Sequence, residues 1–457
     1  MLSHQSERRS SLNQSGENLV RSIEDDPIAQ SLPTRASFIP LRQSDLTAKL
    51  VEEFGISPSE QVKFRQLCAR LQAIFHVEHL TALLHLEELY DALDPDSQLI
   101  DLDTMSAAHR DQLASELLDR LTGLLNSAHY KRLTREELER AIEIGWQWGV
   151  RLEVDFELFE RLEIFARGYQ MVIVRRRRWQ NFFREETIEL PEFQRLIMAF
   201  RMKEDNDPKK KTNDRSLNHK FVYLKTFKNI PENDLEILLP GSKVRLTKLD
   251  RAKILLPTVS GMAILIYKIA RGVLVLSLAF TAYTLDQILG WIVLIGACGG
   301  YLVKSVLSYF RTKNRYQFGL TESLYLKNLG NNSSVVYRIL NEAEEQELGE
   351  AILAYTFLWK HPDVPAEGVT GHELDLLVEE FLLRVTKVDV DFEVHDGLGK
   401  LARLGLAQVD SNGRWKVEKI SEATGYLSRN WSALFESRAR SVVMGEPMED
   451  DLFSGEG

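Results

Sequence analysis

Four side chains suited to metal or proton chemistry crowd one predicted helix: His76, Glu78, His79 and His85. His76 and His79 stand three residues apart, a spacing that puts both on one helix face. A metal would need a third ligand brought from elsewhere, and the order is not His-Glu-x-x-His. Core or surface histidines are the better reading, so no metal ligand and no cofactor is assigned. A second group is cationic. Arg175, Arg176, Arg177 and Arg178 run together ahead of Trp179, and Lys243, Arg245, Lys248, Arg251 and Lys253 follow later. Both runs are expected to touch anionic lipid headgroups, where each charge near an anionic leaflet gains about 1 kcal/mol. The alternative is that the arginines pair with the chain's excess carboxylates. Glu342, Glu344, Glu345, Glu347 and Glu350 form an acidic group, read as a solvated helix face. No phosphate-binding glycine loop, nucleophile elbow or Cys-x-x-Cys is present, so no catalytic residue is assigned.

These groups must be held by a chain of 457 residues, long enough for two or three folded units. Charged residues make up 27% and hydrophobic residues 44%, whereas a polytopic transporter would be more apolar. A formal charge of −10 argues against general nucleic-acid binding, which depends on neutralising phosphates. Two distant cysteines, Cys68 and Cys298, make no disulfide framework. The first residues lack the apolar core of a secretory signal, and residues 1–34 read as a disordered tail.

Residues 35–167 read as a helical domain. Ser57-Pro58-Ser59-Glu60 and Thr134-Arg135-Glu136-Glu137 are capping boxes, and Asp155 is expected to cap a third helix through Leu158, Phe159 and Leu162. Residues 168–250 read as a small mixed α+β region. Its expected strands are Met171–Val174, Phe193–Met202 and Phe221–Phe227. Leu324–Leu326 reads as a further strand. Residues 311–440 read as a winged-helix-like domain, with helices over Asn341–Trp359, Leu374–Val385 and from Asp391. A β-hairpin follows around Ser411-Asn412-Gly413, and a final helix spans Ser421–Ala439. The third of these helices carries Asp391, Glu393 and Asp396 against Lys400 and Arg403. It is net acidic where a DNA-reading helix should be basic. Residues 441–457 read as an acidic disordered tail.

Residues 251–310 read as a membrane region. Residues 255–267 are expected at the interface, with spans over about 269–285 and 288–308, the second long enough for a hydrocarbon core of roughly 30 Å. Basic residues flank both ends while the tip has none, which would put both soluble parts on the cytoplasmic side. Gly296 and Gly300, with Ser277 and Thr281, have the small-residue spacing that lets two membrane helices approach closely.

Several segments together resemble the transmembrane protein 143-like family (domain of unknown function 3754). They are Phe38-Ile39-Pro40-Leu41, FRQLCARLQAIFHVEHL, Phe165-Ala166-Arg167-Gly168 and the stretch from Leu224 to Arg251. After the apolar region come Leu324 to Leu329, EAEEQELGEAILAYTFL and DFEVHDGLGKLARLGL. The resemblance implies a membrane protein with two spans and supplies no reaction or site residue. The expected fold is therefore mainly α with small β elements, a two-helix transmembrane hairpin and a winged-helix-like C-terminal domain. The expected role is an integral membrane scaffold or adaptor of a bacterial inner membrane, with an organelle membrane as the alternative location. The alternative role is an oligomeric channel or transporter subunit. The expected partners are the lipid bilayer and an unidentified protein or a second copy, without nucleic acid.

Overall fold

The computed structural model describes residues 35–97, 105–145, 151–177, 185–204, 217–240, 243–245, 267 and 324–444. They fall into two compact units. One comprises Met1–Leu138, Glu157–Glu232 and Leu329–Gly457, and the other comprises Glu139–Phe156 and Asn233–Asn328.

The first unit opens with α1 (Gln43–Glu53), α2 (Pro58–Asp91) and α3 (Ala107–Ser127). Pro58 suits the first turn of α2, where its missing N–H would lack an intrahelical acceptor anyway. Strand β1 (Lys131–Arg132) follows, then helix α4 (Arg135–Gly145), which belongs to the first unit up to Leu138 and to the second from Glu139. At α4 the Thr134 hydroxyl accepts from Glu137 N at 3.2 Å, and Glu137 Oε2 accepts from Thr134 N at 2.7 Å. After β2 (Arg151–Glu153) come two long strands, β3 (Phe159–Arg177) and β4 (Glu185–Met202), and then β5 (Val222–Pro231). The expected helix after Asp155 is thus replaced by a strand from Phe159. Phe159 pairs with Met202 and, after a register shift at Glu160, Arg161 to Arg167 pair with Arg201 to Arg195; Ala166 also pairs with Lys131, so backbone pairing from both sides overrides local helix propensity. The β elements are therefore not small.

The second unit holds β2, the short helix α5 (Leu235–Leu238) and β6 (Lys243–Arg245); β2 and β6 pair antiparallel. The chain returns through β7 (Asn328–Asn331), which completes a sheet in the order β1-β3-β4-β5-β7. The residues before it, 324–327, are helical and not the expected strand.

Helix α6 (Ser333–Lys360) is the axis of the first unit, about 42 Å long at the usual rise. Its first half packs with the second half of α2, α3 and the sheet residues Phe165, Ile197, Val222 and Leu224. Its second half packs with α1, the first half of α2 and the C-terminal elements. Those elements are β8 (Val369–Thr370), α7 (Gly371–Thr386), α8 (Val394–Arg403), β9 (Ala407–Val409), β10 (Arg414–Val417) and α9 (Ile420–Met444). With α6 leading, their order is helix, strand, helix, helix, hairpin. The three strands lie in the order β8-β10-β9, a winged-helix arrangement.

Among the described residues no helix is long and apolar enough to cross a membrane. This overturns the expected transmembrane hairpin, the integral-membrane scaffold or channel role and the inner-membrane or organelle-membrane location. The helices with the necessary length are too polar. Helix α2 carries Lys63, Arg65, Arg70, Glu87 and Glu88, and α6 carries five glutamates between Glu342 and Glu350. The expected spans 269–285 and 288–308, with Gly296, Gly300, Ser277 and Thr281, lie outside the described residues.

Candidate functional site

The glutamates of α6 do not form a solvated face. Glu342, Glu347 and Glu350 are buried, as is Gln346 between them. Positions 342, 346 and 350 recur at four-residue spacing, which puts them in one row along the helix. Burial of a carboxylate is costly unless charge and hydrogen bonds compensate it, and this row is compensated from four other elements.

Glu350 is 1% exposed. Its Oε1 lies 2.5 Å from His129 Nε2 and its Oε2 accepts from Lys400 Nζ at 2.9 Å. Lys400 also lies 3.8 Å from Glu347, which faces His79 at the same distance. His129 has a second carboxylate, Glu393, at 3.6 Å from Nδ1. Burial alone would raise the Glu350 carboxyl, yet the Lys400 charge and the His129 hydrogen bond hold it below the ordinary value. Burial likewise opposes charge on His129, but hydrogen bonds to Glu350 and Glu393 raise its pKa to about 9. At neutral pH His129, Lys400, Glu350 and Glu393 form a charged quartet that Lys400 extends to Glu347.

A second knot sits at Glu342. Its Oε2 accepts from Tyr130 Oη at 2.6 Å and pairs with Arg167 Nη2 at 2.9 Å. Arg195 and Arg338 approach its other oxygen at 3.9 Å. The Arg167 guanidinium stacks 5.0 Å from the Phe38 ring and 4.8 Å from the Tyr130 ring. Gln346, between the two knots, holds the backbone of Ile39.

These groups do not make a catalytic constellation. Both Glu350 oxygens are engaged, and its hydrogen-bonded neighbours are themselves largely enclosed. The arrangement fastens helix α8 and the turn after α3 to α6. Helix α8 is fixed a second time by Arg403, whose two terminal nitrogens donate to the Glu78 carboxylate at 2.7 and 2.9 Å. In a winged helix this is the element that would enter a DNA groove. Here Lys400 turns inward to Glu350 while Arg403 is exposed and paired with Glu78, and the other exposed positions include His395, Asp396, Gly399 and Ala402. In the wing, Arg414 donates to the Gly368 carbonyl at 2.9 Å.

The histidines that drew attention in the sequence are dispersed along α2. His76 contacts Glu344, His79 is buried with Nδ1 on the Phe75 carbonyl, and His85 lies near Glu88 and Glu116. Among the described residues no three of His, Cys, Asp or Glu are grouped to hold a metal ion. Arg175, Arg176 and Arg177 lie on β3, where register sets them opposite Thr187, Glu186 and Glu185 of β4. Lys243 and Arg245 lie on β6, opposite Glu153 and Arg151. The two runs thus belong to different units, while Arg178, Lys248, Arg251 and Lys253 lie outside the described residues. His129 and Gln346 went unnoticed in the sequence, and Lys400 was read only as one of two cations on a net acidic helix. The only trace of their grouping was the glutamate row, interleaved with Leu348, Ala351 and Ile352 on a helix that also had to be buried.

One further feature is geometric. Strand β5 ends its pairing with β4 at Glu192↔Pro231, but β3 and β4 continue from Met171↔Pro191 to Arg177↔Glu185. This two-stranded ribbon runs roughly 20 Å past the last three-stranded rung. Ile173 on it is 63% exposed, and Val172 and Leu190 are half-buried.

A family model described as a protein of unknown function (DUF3754) matches residues 193–334. The matched stretch begins within β4 and ends in the first turn of α6; the ion-paired row and the winged-helix elements follow it. No solved structure matches the chain.

Proposed function

We propose that this chain is a docking protein: the ion-paired α6–α8 body is a rigid base and the β3–β4 ribbon is the part that meets another protein. The observation that carries this reading is the continuation of the ribbon beyond the sheet, with Ile173 exposed. A two-stranded ribbon is marginal alone in water, so an apolar, charged-tipped one is a natural place for a partner to add surface. A docking role is favoured over catalysis because the buried carboxylates at Glu342 and Glu350 are spent on fixed cations. It is favoured over nucleic-acid reading because Lys400 and Arg403 are each already paired with a carboxylate of this chain, Glu350 and Glu78.

The finer kinship, with the transmembrane protein 143-like proteins, is part of this reading. It rests on Phe38–Leu41, Phe165–Gly168 and Leu224–Arg251, the last of which lies inside the matched DUF3754 stretch.

A photo-crosslinking side chain placed at Ile173 in the full chain, in its own cell, tests the docking role. The expected result is one dominant protein adduct from position 173 and none from Val409, an apolar position on the wing that is 51% exposed. No adduct at 173, or the same adducts at both positions, would overturn it.

A further inference from the structure

The first described residues, Arg35 to Leu41, run through the first unit as a non-helical segment bent at Arg35, Ser37, Phe38 and Leu41, and their hydrogen bonds and ion pairs reach elements distant in sequence. Ala36 forms a single parallel rung with the α7–α8 linker: its N–H donates to Asp389 O at 2.8 Å and its carbonyl accepts from Asp391 N at 2.8 Å. Arg35 sits in an acidic cradle, with Glu379 at 2.6 Å, Asp389 at 2.8 Å and the Val390 carbonyl at 3.1 Å. The Ser37 hydroxyl donates to His129 O at 3.3 Å, and Phe38 lies under the Arg167 guanidinium.

Ile39 is the deepest residue of the segment. Gln346 reads its main chain in both directions, accepting from Ile39 N at 2.7 Å and donating to Ile39 O at 3.3 Å. Its side chain lies where α6 has Gly349, and a Cβ there would stand 3.1 Å from Ile39 Cδ1. Main-chain hydrogen bonds from a fixed helix and linker, with separate receptacles for individual side chains, are how proteins bind extended peptides.

We propose that the groove between α6 and the α7–α8 linker is a linear-peptide site, filled in cis by residues 35–41. Its ligand class is a linear peptide with a basic residue three positions before an aromatic-aliphatic pair, as in Arg35-Ala-Ser-Phe38-Ile39. Arg35 selects the basic position, Gly349 and Gln346 select the aliphatic one, and the cis segment competes through its high effective concentration. This site is independent of the ribbon.

The test uses the full chain carrying Arg35→Glu and Ile39→Asp, which vacates the groove, and a fluorescent peptide copying residues 33–43. The expected result is saturable binding on the order of a hundredfold tighter than to the unaltered chain, whose own segment competes. Adding Gln346→Ala removes that binding, and so does Ile39→Asp in the peptide. Binding that ignores Gln346, or equal binding to the altered and unaltered chains, overturns the proposal. Hydrogen exchange on the unaltered chain gives a second readout that needs no variant to fold. The Ala36 and Ile39 amides should exchange at least tenfold faster than those of Leu398 and Leu401, because the segment leaves without opening α8. Exchange of both sets at one common rate would overturn it.

Discussion

At Glu350 the cost of burying a charge and the gain from pairing it are both large, so removing one member is worse than removing the pair. Lys400→Met leaves Glu350 enclosed with a lost cation and should lower unfolding stability by about 3–5 kcal/mol. Combining it with Glu350→Gln should cost clearly less than the sum of the two single changes; urea denaturation of the four proteins measures the coupling. His129 adds a pH dependence of definite sign. Its folded pKa of about 9 lies above the ordinary 6.5, so its contribution is complete below pH 6.5 and drains away as pH rises to about 9. The loss across that window is roughly 3 kcal/mol, and His129→Gln should flatten it. Urea midpoints from pH 6 to 9.5 measure both. An unchanged slope in His129→Gln would contradict the ion pair. None of this was legible in the residues alone. The glutamates were visible, but their cations lie 50 and 221 positions away, so the same run reads equally as a solvated face.

Of the helix starts expected in the N-terminal half, Thr134 forms its capping box, Ser57 makes no side-chain cap, and Asp155 leads into a short 3-10 turn and a strand. Thr370 and Glu373 form a reciprocal capping box at the start of α7, with Thr370 N donating to Glu373 Oε2 at 2.8 Å and Glu373 N donating to Thr370 Oγ1 at 3.3 Å. Thr370→Ala should cost about 1 kcal/mol in urea unfolding, and Thr370→Ser should recover most of it. No loss in the alanine variant would mean that packing alone sets the start of α7. The boxes at Thr134 and Thr370 involve four adjacent residues, so local sequence specifies them. The turn at Ser411-Asn412-Gly413 is similarly local: Asp410 Oδ1 accepts from Asn412 N and Arg414 N, and Gly413 takes a positive φ of 74°. Strand β3 is the opposite case. Its first residues, Phe-Glu-Arg-Leu-Glu-Ile-Phe, suit a helix as well as a strand. Pairing with β1 and β4, and the ion pair of Glu163 with Arg132, decide the matter from outside the segment.

For the whole molecule, the division of labour is between a body organised on α6 and a ribbon that leaves its sheet. The body was partly legible, because the apolar periodicity of α2, α6 and the C-terminal helices marks buried faces. The expected membrane hairpin came from the most apolar stretch of the chain, which lies outside the described residues, while the described long helices are too charged to cross a bilayer. The ribbon was visible only as fragments, since its strands owe their length to each other. The most direct test of the docking role replaces residues 171–191 with Asn-Gly, a two-residue turn that joins the paired positions Gln170 and Glu192. The prediction is an unchanged urea midpoint together with loss of the protein that crosslinks at position 173 from the material recovered with the chain. A collapsed midpoint would make the ribbon part of the core, and retention of that protein would place docking elsewhere; either result contradicts the proposed role.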